Sequence, residues 1–360
     1  MKKTAFNNIH RKYNAKLVEF AGFEMPVQYE GIIAEHKAVR ESVGVFDVSH
    51  MGEVEVRGKD AFAYVQKLTT NDVSLLSKGK VQYSSMCYKD GGMVDDLLVY
   101  HCGDYYLLVI NAANVDKDFK WMQENVFGDV VLKNISGEVS QLAIQGPNSE
   151  KTLQKLTDTD LSKIEYYHFV FGKMAGEEVI ISHTGYTGEK VCFEIYSSSD
   201  ISKSEAMWNA IFEAGKEFNI KPVGLGARDT LRLEYAFRLY GNDMDEKTNP
   251  LEAGLAWITK LDKGDFIGRE AILKCKEAGL KRKLIGFIVE DRMVARHGQE
   301  VYYGDKKIGF VASGAPSPIL GKNIGTASVE TAFAKTGNEI EIDVRGKRVK
   351  AAIVKTPFLN

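Results

Sequence analysis

Apolar residues recur at helical spacing over residues 32–43, and the run 45–56 then alternates like a strand. Strand signals dominate from there. Residues 81–88, 93–102 and 105–110 read as a three-stranded meander, because Lys89-Asp90-Gly91-Gly92 and Gly103-Asp104 supply turn chemistry between them. Residues 114–126 return to a 3.6-residue period with Phe119 and Met122 on one side, which predicts an amphipathic helix. A second unit repeats this grammar: a strand at 139–144, a Gly-Pro-Asn turn into a helix at 149–156, strands near 178–182 and 191–196, and a helix at 206–218. Two successive units of strands packed on helices predict an α+β region with an internal pseudo-repeat of structure. From Lys281 the texture changes to short strands with Gly-rich turns at 284–289, 301–303, 308–313, 324–329, 339–344 and 349–354, the pattern of a small barrel or sandwich. The lysine-rich segment 274–283 is the expected linker, either a solvated face or a surface for an acidic partner.

Composition narrows the function classes. With 360 residues the chain has room for two or three domains, and 44% hydrophobic with 27% charged residues is ordinary for a globular protein. Lys plus Arg 47 against Asp plus Glu 49 gives −2, which removes the electrostatic case for sequence-independent nucleic-acid binding. Two early lysines have no apolar segment behind them and no run approaches the ~20 apolar residues of a bilayer span, so a cytoplasmic protein without membrane contact is expected. The four cysteines stand far apart with no Cys-x-x-Cys, arguing against structural zinc and a disulfide scaffold.

Candidate chemistry begins at Asp95-Asp96, two carboxylates inside an otherwise apolar strand. Alternation sends Asp96, Leu98 and Tyr100 to one face and Asp95, Leu97 and Val99 to the other. The inward carboxylate then needs a partner or ligand, unless both lie wet on an edge strand. In His183-Thr184-Gly185-Tyr186-Thr187-Gly188, two glycines flank an aromatic and a hydroxyl, a turn that can hold Tyr186 against a flat ligand. On the following strand Glu194 shares a face with Cys192 and Tyr196. There it can accept two hydrogen bonds from an amino-pyrimidine edge, or simply face solvent. The stretch 223–232 lacks the third glycine of a dinucleotide loop and has no Gly-Lys-Ser/Thr. It reads instead as a helix opening near Gly226, with Ala227, Leu231 and Tyr235 as its core stripe. Arg228 and Arg232 then lie one turn apart, placed to serve a carboxylate such as Glu194 or to meet solvent. Residues 240–245 have the acid density of a calcium loop, but counted from Asp243 the bidentate position holds Gly254, so no metal is expected. His50 has no nucleophile motif to serve and reads as structural.

Phe46-Asp47-Val48-Ser49-His50-Met51-Gly52, Gly91–Tyr100, Asn111-Ala112-Ala113-Asn114, Ala143-Ile144-Gln145-Gly146-Pro147, Thr184–Glu189, Gly224–Arg232, Tyr240–Trp257, Asp265–Glu270, Gly309–Gly314 and Ser317-Pro318, in that order over essentially the whole length, resemble the aminomethyltransferase (T-protein) family of the glycine cleavage system. The resemblance implies a three-domain cloverleaf. Two α/β, ferredoxin-like domains interleave in residues 1–275 around a central folate pocket, and a C-terminal β-barrel occupies 276–360. It implies Asp96 as the catalytic residue, and folate contacts at Met51, Tyr83, Asp96, Tyr100, Asn111, Tyr166, Tyr186, Glu194, Arg228 and Trp257. Tetrahydrofolate would be the acceptor substrate, and the lipoylated H-protein the partner that carries the aminomethyl group. One departure stands out. Where the family has Tyr-Thr-Gly-Glu-Asp-Gly-Phe-Glu, this chain is one residue longer from Tyr186 to Glu194 and lacks the glycine, so either a bulge or a changed turn is expected before Glu194. The chain also ends soon after Pro357-Phe358, without a basic tail that could touch the folate glutamate. A folate-binding iron-sulfur assembly factor of the same fold is the alternative. Its Lys-Gly-Cys-Tyr motif reads Lys263-Gly264-Asp265-Phe266 here, without the cysteine. The folate modules of sarcosine-oxidising enzymes are fused to a flavin domain for which this chain has no fingerprint.

Overall fold

The computed structural model describes residues 1–359. Its contacts divide the chain into two compact units. Unit 1 comprises Met1–Val65, Val73–Gln82 and Leu98–Arg228, and unit 2 comprises Gln66–Asp72, Tyr83–Leu97 and the chain from Asp229 on.

Unit 1 opens with α1 (Asn7–Lys12) and a hairpin of β1 (Lys16–Phe20) and β2 (Phe23–Gln28), turned through Ala21 and Gly22, both at positive φ. Periodicity does not reveal this hairpin, because most of its side chains are exposed or half-buried and Pro26 interrupts β2. Helix α2 (Ile32–Glu41) follows as predicted. The strand expected at 45–56 is in fact two, β3 (Gly44–Asp47) and β4 (Gly52–Arg57). The Asp47 carboxylate accepts from the Ser49 N–H at 2.9 Å, a local turn that competes with the ladder and redirects the chain. Along the chain follow helix α3 (Ala61–Leu68), β5 (Val81–Cys87), β6 (Met93–His101), β7 (Tyr106–Ile110), α4 (Val115–Glu124) and β8 (Val131–Asn134), with Tyr83–Leu97 of β5 and β6 counted in unit 2, and the five strands are ordered β5-β6-β7-β4-β8.

The second sheet is built from β9 (Val139–Gln145), β10 (Phe169–Met174), β11 (Glu177–Ser182), β12 (Cys192–Ser198) and β13 (Lys221–Pro222), together with β3, in the order β10-β11-β12-β9-β3-β13. Helices α5 (Ser149–Leu153) and α6 (Ile201–Ala214) accompany it. Its apolar face carries Val45, Leu142, Ile144, Ile181, Phe193 and Ile195, packed with Trp208 of α6 and Phe6. Trp208 is fully buried. Truncating an aromatic of this kind to alanine costs on the order of 3–5 kcal/mol. Helix α7 (Leu225–Glu234) starts where the glycine-rich stretch predicts. A Cβ at Gly224 would lie 2.5 Å from the Val27 backbone and one at Gly226 2.6 Å from the Ile32 side chain, so these glycines permit close packing rather than cradling a phosphate.

Unit 2 contains α8 (Arg269–Ala278) and a closed barrel of β14 (Arg282–Val289), β15 (Glu300–Tyr303), β16 (Lys306–Ser317), β17 (Lys322–Glu330), β18 (Glu339–Val344) and β19 (Lys347–Val354), ordered β14-β17-β16-β15-β18-β19. Closure leaves no unpaired strand edge. The expected linker at 274–283 begins inside α8, whose Ile272 is fully buried with Cys87 and Met93. That apolar anchor outweighs the charge run around it. Arg232, 1% exposed, donates to Asp243 at 2.7 Å and Ser313 at 2.9 Å, and pairs with Asp229 at 2.7 Å. Its charge is therefore committed to Asp229 and Asp243, not to Glu194. Asp243 in turn accepts from Thr326, so the acid-rich loop 240–245 serves a structural network. Lys263 donates to the backbone carbonyls of Gln66, Thr69 and Asn71 at 2.5–2.7 Å, and burial lowers its ammonium pKa to about 7. No helix among the described residues is long and apolar enough to cross a membrane.

Candidate functional site

Glu194 stands on β12 opposite Ala143 of β9 and Ser182 of β11. Alternation sends Phe193 and Ile195 into the core and leaves Glu194 half-buried on the other face with Tyr196. Both carboxylate oxygens are held, Oε2 by the Thr184 hydroxyl at 2.5 Å and Oε1 by Gln141 Nε2 at 3.3 Å. Behind Thr184 lies a chain of buried hydroxyls. Ser182 Oγ is 2.9 Å from Thr184 Oγ1, Tyr100 OH is 3.1 Å from Ser182 Oγ, and Tyr196 OH is 2.9 Å from Tyr100 OH. Because Thr184 spends its only proton on the carboxylate, the donors line up in one direction: Tyr196 to Tyr100, to Ser182, to Thr184, to Glu194. Hydrogen bonds aligned in this way polarise one another. Burial raises the Glu194 pKa above the ordinary carboxylate value. The Thr184 hydrogen bond, the charge of Arg228 and the Gln141 amide oppose that rise.

The Arg228 guanidinium lies over the Tyr186 ring, 4.5 Å from its centroid, a cation–π contact that fixes both side chains. The loop that carries Tyr186 is held from several sides. Gly188 adopts positive φ, Arg40 grips the Thr187 carbonyl and the Glu189 carboxylate, and His183 bonds the Ile164 and Lys190 carbonyls. The register of β12 against β9 then runs unbroken from Cys192 to Ser198. No bulge interrupts β12 over that stretch, and Glu194 keeps its place opposite Ala143.

In unit 2, Asp96 lies on β6 and is half-buried, whereas Asp95 on the opposite face is fully buried. The Tyr83 hydroxyl donates to Asp96 Oδ2 at 2.8 Å, and the Tyr83 ring stands 5.8 Å from Trp257, which is 60% exposed. Asp96 is thus the accessible member of the pair, oriented by a phenol and flanked by aromatic surface.

The ten residues singled out from sequence accordingly fall into groups. Tyr100 and Glu194 share the hydroxyl chain, Tyr186 and Arg228 form a stacked pair, and Tyr83, Asp96 and Trp257 cluster in unit 2. Tyr100 is fully buried with its hydroxyl spent on Ser182 and Tyr196, so it braces Thr184 instead of presenting a free phenol. Met51 packs beside the Tyr100 cluster, and Asn111 is half-buried before a short 3-10 turn. Tyr166 is half exposed, its ring edge-on to Tyr167 and His183. Sequence reading missed Thr184, Gln141 and Ser182 as supports of Glu194. Their only signal was cross-strand: Ser182 directly opposite Glu194, and Gln141 opposite Tyr196.

Family models match the chain in two parts, the GCVT N-terminal domain over residues 6–263 and the glycine cleavage T-protein C-terminal barrel domain over residues 282–360. A protein named aminomethyltransferase from Chloroherpeton thalassium is 53% identical, with 100% of this chain and 99% of the relative aligned. One of the same name from Caldanaerobacter subterraneus is 52% identical over 99% of this chain and 96% of the relative. The crystal structure of glycine cleavage system aminomethyltransferase T from Bartonella henselae superposes with a TM-score of 0.92 at 29% identity, covering 99% of this chain and 98% of that one.

Proposed function

Because the chain belongs to the glycine cleavage T-protein family of aminomethyltransferases, we propose that it moves the aminomethyl carbon from the lipoyl arm of a lipoylated H-protein to tetrahydrofolate. The products are 5,10-methylenetetrahydrofolate, ammonia and the dihydrolipoyl protein. In the balance of atoms, the carbon's bonds to sulfur and to the amine nitrogen break, and bonds to folate N5 and N10 form. The two protons shed by N5 and N10 end on ammonia and on the lipoyl thiol. No protein nucleophile is required, since N5 is itself the attacking amine. The protein's task is to orient the reactants and to stabilise positive charge as it develops on the transferred carbon.

Asp96 takes that second role. Its carboxylate stabilises the iminium-like carbon and assists proton movement at N5, with the Tyr83 hydroxyl holding its second oxygen in place. The observation that carries this assignment is the split between the paired aspartates, one fully buried and the other half open beside Tyr83 and Trp257. Glu194, pinned at both oxygens, takes the amino-pyrimidine edge of the pterin, while Arg228 and Tyr186 offer a flat charged surface. Met51, Asn111 and Tyr166 remain proposed folate contacts by resemblance. Four unpaired cysteines suit a reducing compartment, which supports the cytoplasm as the place of reaction. Lys263, which heads the motif of the iron-sulfur alternative, caps three carbonyls here, and the cysteine of that motif is absent. Calorimetry with tetrahydrofolate, followed by a transfer assay with an aminomethylated lipoyl protein, tests the assignment. Purified Asp96→Asn that turns over like the parent, with folate affinity intact, would sink the role given to Asp96.

A further inference from the structure

The motif Lys263-Gly264-Asp265-Phe266 takes no part in the chemistry proposed above, yet its lysine is bound on every proton. The Lys263 ammonium donates to the carbonyls of Gln66, Thr69 and Asn71 at 2.5, 2.6 and 2.7 Å and lies 5.2 Å from the Phe266 ring centroid. Gln66 belongs to the last turn of α3, and the other two carbonyls come just after its end. The carbonyls of a helix's last turn have no partner within the helix, and a cation placed there satisfies them. A cap alone would end at that point. Here the capped segment, residues 66–72, continues as a strap that bonds two other parts of unit 2.

On one side the strap is laced to β5. Asn71 Nδ2 donates to the Tyr83 carbonyl at 2.8 Å, Asn71 N–H donates to Ser84 Oγ at 3.0 Å, and Thr70 N–H donates to the Ser85 carbonyl at 2.8 Å. On the other side Thr70 Oγ1 donates to the Ile258 carbonyl at 3.2 Å, and the Thr70 carbonyl accepts from Lys260 N–H at 3.0 Å. Thr70 and Asn71 are both buried, so each of these bonds, once broken, would leave a polar group away from water. The two places the strap reaches are those that carry the aromatic neighbours of Asp96. Tyr83, whose hydroxyl holds Asp96 Oδ2 at 2.8 Å, is on β5, and Trp257, 5.8 Å from the Tyr83 ring, precedes Ile258. Contacts in series therefore run from the Lys263 ammonium to the Asn71 backbone, from the Asn71 amide to the Tyr83 backbone, and from the Tyr83 phenol to Asp96. Misplacing a reacting group by about 1 Å can cost on the order of 10²-fold in rate.

We infer that Lys263 is a positioning residue for the transfer: by drawing three carbonyls of the strap onto one ammonium, it sets Asn71 against the Tyr83 backbone and so sets the phenol that orients Asp96. The inference rests on the role given to Asp96 above and names what holds that carboxylate's partner in place.

A double-mutant cycle on the full chain tests it, with kcat read from the aminomethyl transfer assay and folate Kd from calorimetry, well below the melting temperature of each variant. Lys263→Met keeps the apolar stem and removes the donors, so it should lower kcat about fivefold with folate Kd unchanged within about twofold. Asn71→Ala leaves the cap on the strap's backbone and cuts the link to the Tyr83 carbonyl, and it should show the same split. In Tyr83→Phe, whose ring no longer holds the carboxylate, Lys263→Met should cost less than about a further 1.5-fold. If the two losses multiply in full, the lysine acts apart from the phenol and the inference is overturned. A parental kcat in Lys263→Met overturns it too, as does a rise in folate Kd large enough to account for the loss. Should Lys263→Met fail to fold, Asn71→Ala and its cycle with Tyr83→Phe decide by the same criteria. A crippled Asp96→Asn beside an unimpaired Lys263→Met removes this inference alone, whereas an Asp96→Asn that turns over like the parent removes the role of Asp96 and this inference with it.

Discussion

Two carboxylates, one in each unit, are held in opposite ways. Glu194 in unit 1 has a donor on each oxygen, a directed chain of four hydroxyls behind it and a pKa raised by burial. Asp96 in unit 2 accepts from the Tyr83 phenol and keeps part of its surface open. Rigid, doubly held acceptors suit recognition, because any mismatch of a ligand's donors leaves buried groups unpaired. A carboxylate with room around it suits chemistry, where the partner's charge and position change along the reaction. The contrast agrees with the roles proposed above, binding for Glu194 and turnover for Asp96.

Asp96→Asn offers the sharpest break. It keeps the side chain's shape and removes its charge, so turnover should fall by about 10²-fold or more with folate affinity nearly unchanged, as read by a transfer assay and calorimetry side by side. Glu194→Gln should show the reverse split: folate Kd rising by about 10–100-fold with a smaller change in kcat, since an amide replaces one of the two acceptor oxygens with an NH2 donor and carries no charge. A shared collapse of both parameters in either variant would erase the distinction.

Thr184→Val sharpens the same contrast through pH. On the proposed role, the ionised Glu194 meets the pterin's donors, so affinity should be lost as pH falls through its pKa, which burial raises above the ordinary carboxylate value. The Thr184 hydrogen bond is the largest of the influences that lower that pKa, so removing it should move the loss to higher pH, seen in calorimetric titrations across the acid range. Tyr83→Phe should have the smallest effect, a few-fold fall in kcat with folding intact. A drop as large as that of Asp96→Asn would mean that the phenol acts directly on the substrate.

A separate titration concerns stability. His50 has a folded pKa of about 4 against an ordinary 6.5, so its contribution is present above 6.5 and lost as pH falls from there towards 4. The loss is on the order of 3 kcal/mol. His50→Gln should flatten that part of the stability profile in denaturant melts.

Much of this was legible along the chain. The strands of the barrel and the meander announce themselves by short apolar runs between glycine turns, and α7 begins where the failed nucleotide loop points. What periodicity missed has physical causes. The β1–β2 hairpin buries too little to alternate, β3 and β4 are divided by a single Asp47 turn, and α8 hides one buried isoleucine among lysines. The supports of Glu194 were invisible for another reason: Thr184, Ser182, Tyr100 and Gln141 meet only across strands or from a loop.

The alternation along each strand is enough to say which residues share a face, because its two-residue repeat is local: Asp96 with Tyr100, Glu194 with Tyr196. It also carried the ordered motifs that identify the family. Tertiary packing alone settles which of those faces is sealed, that Asp95 and not Asp96 is the fully buried acid, and that β12 pairs with β9 without a break from Cys192 to Ser198. Burial and hydrogen-bond direction depend on what other segments place opposite a side chain, and no pattern along one segment contains that.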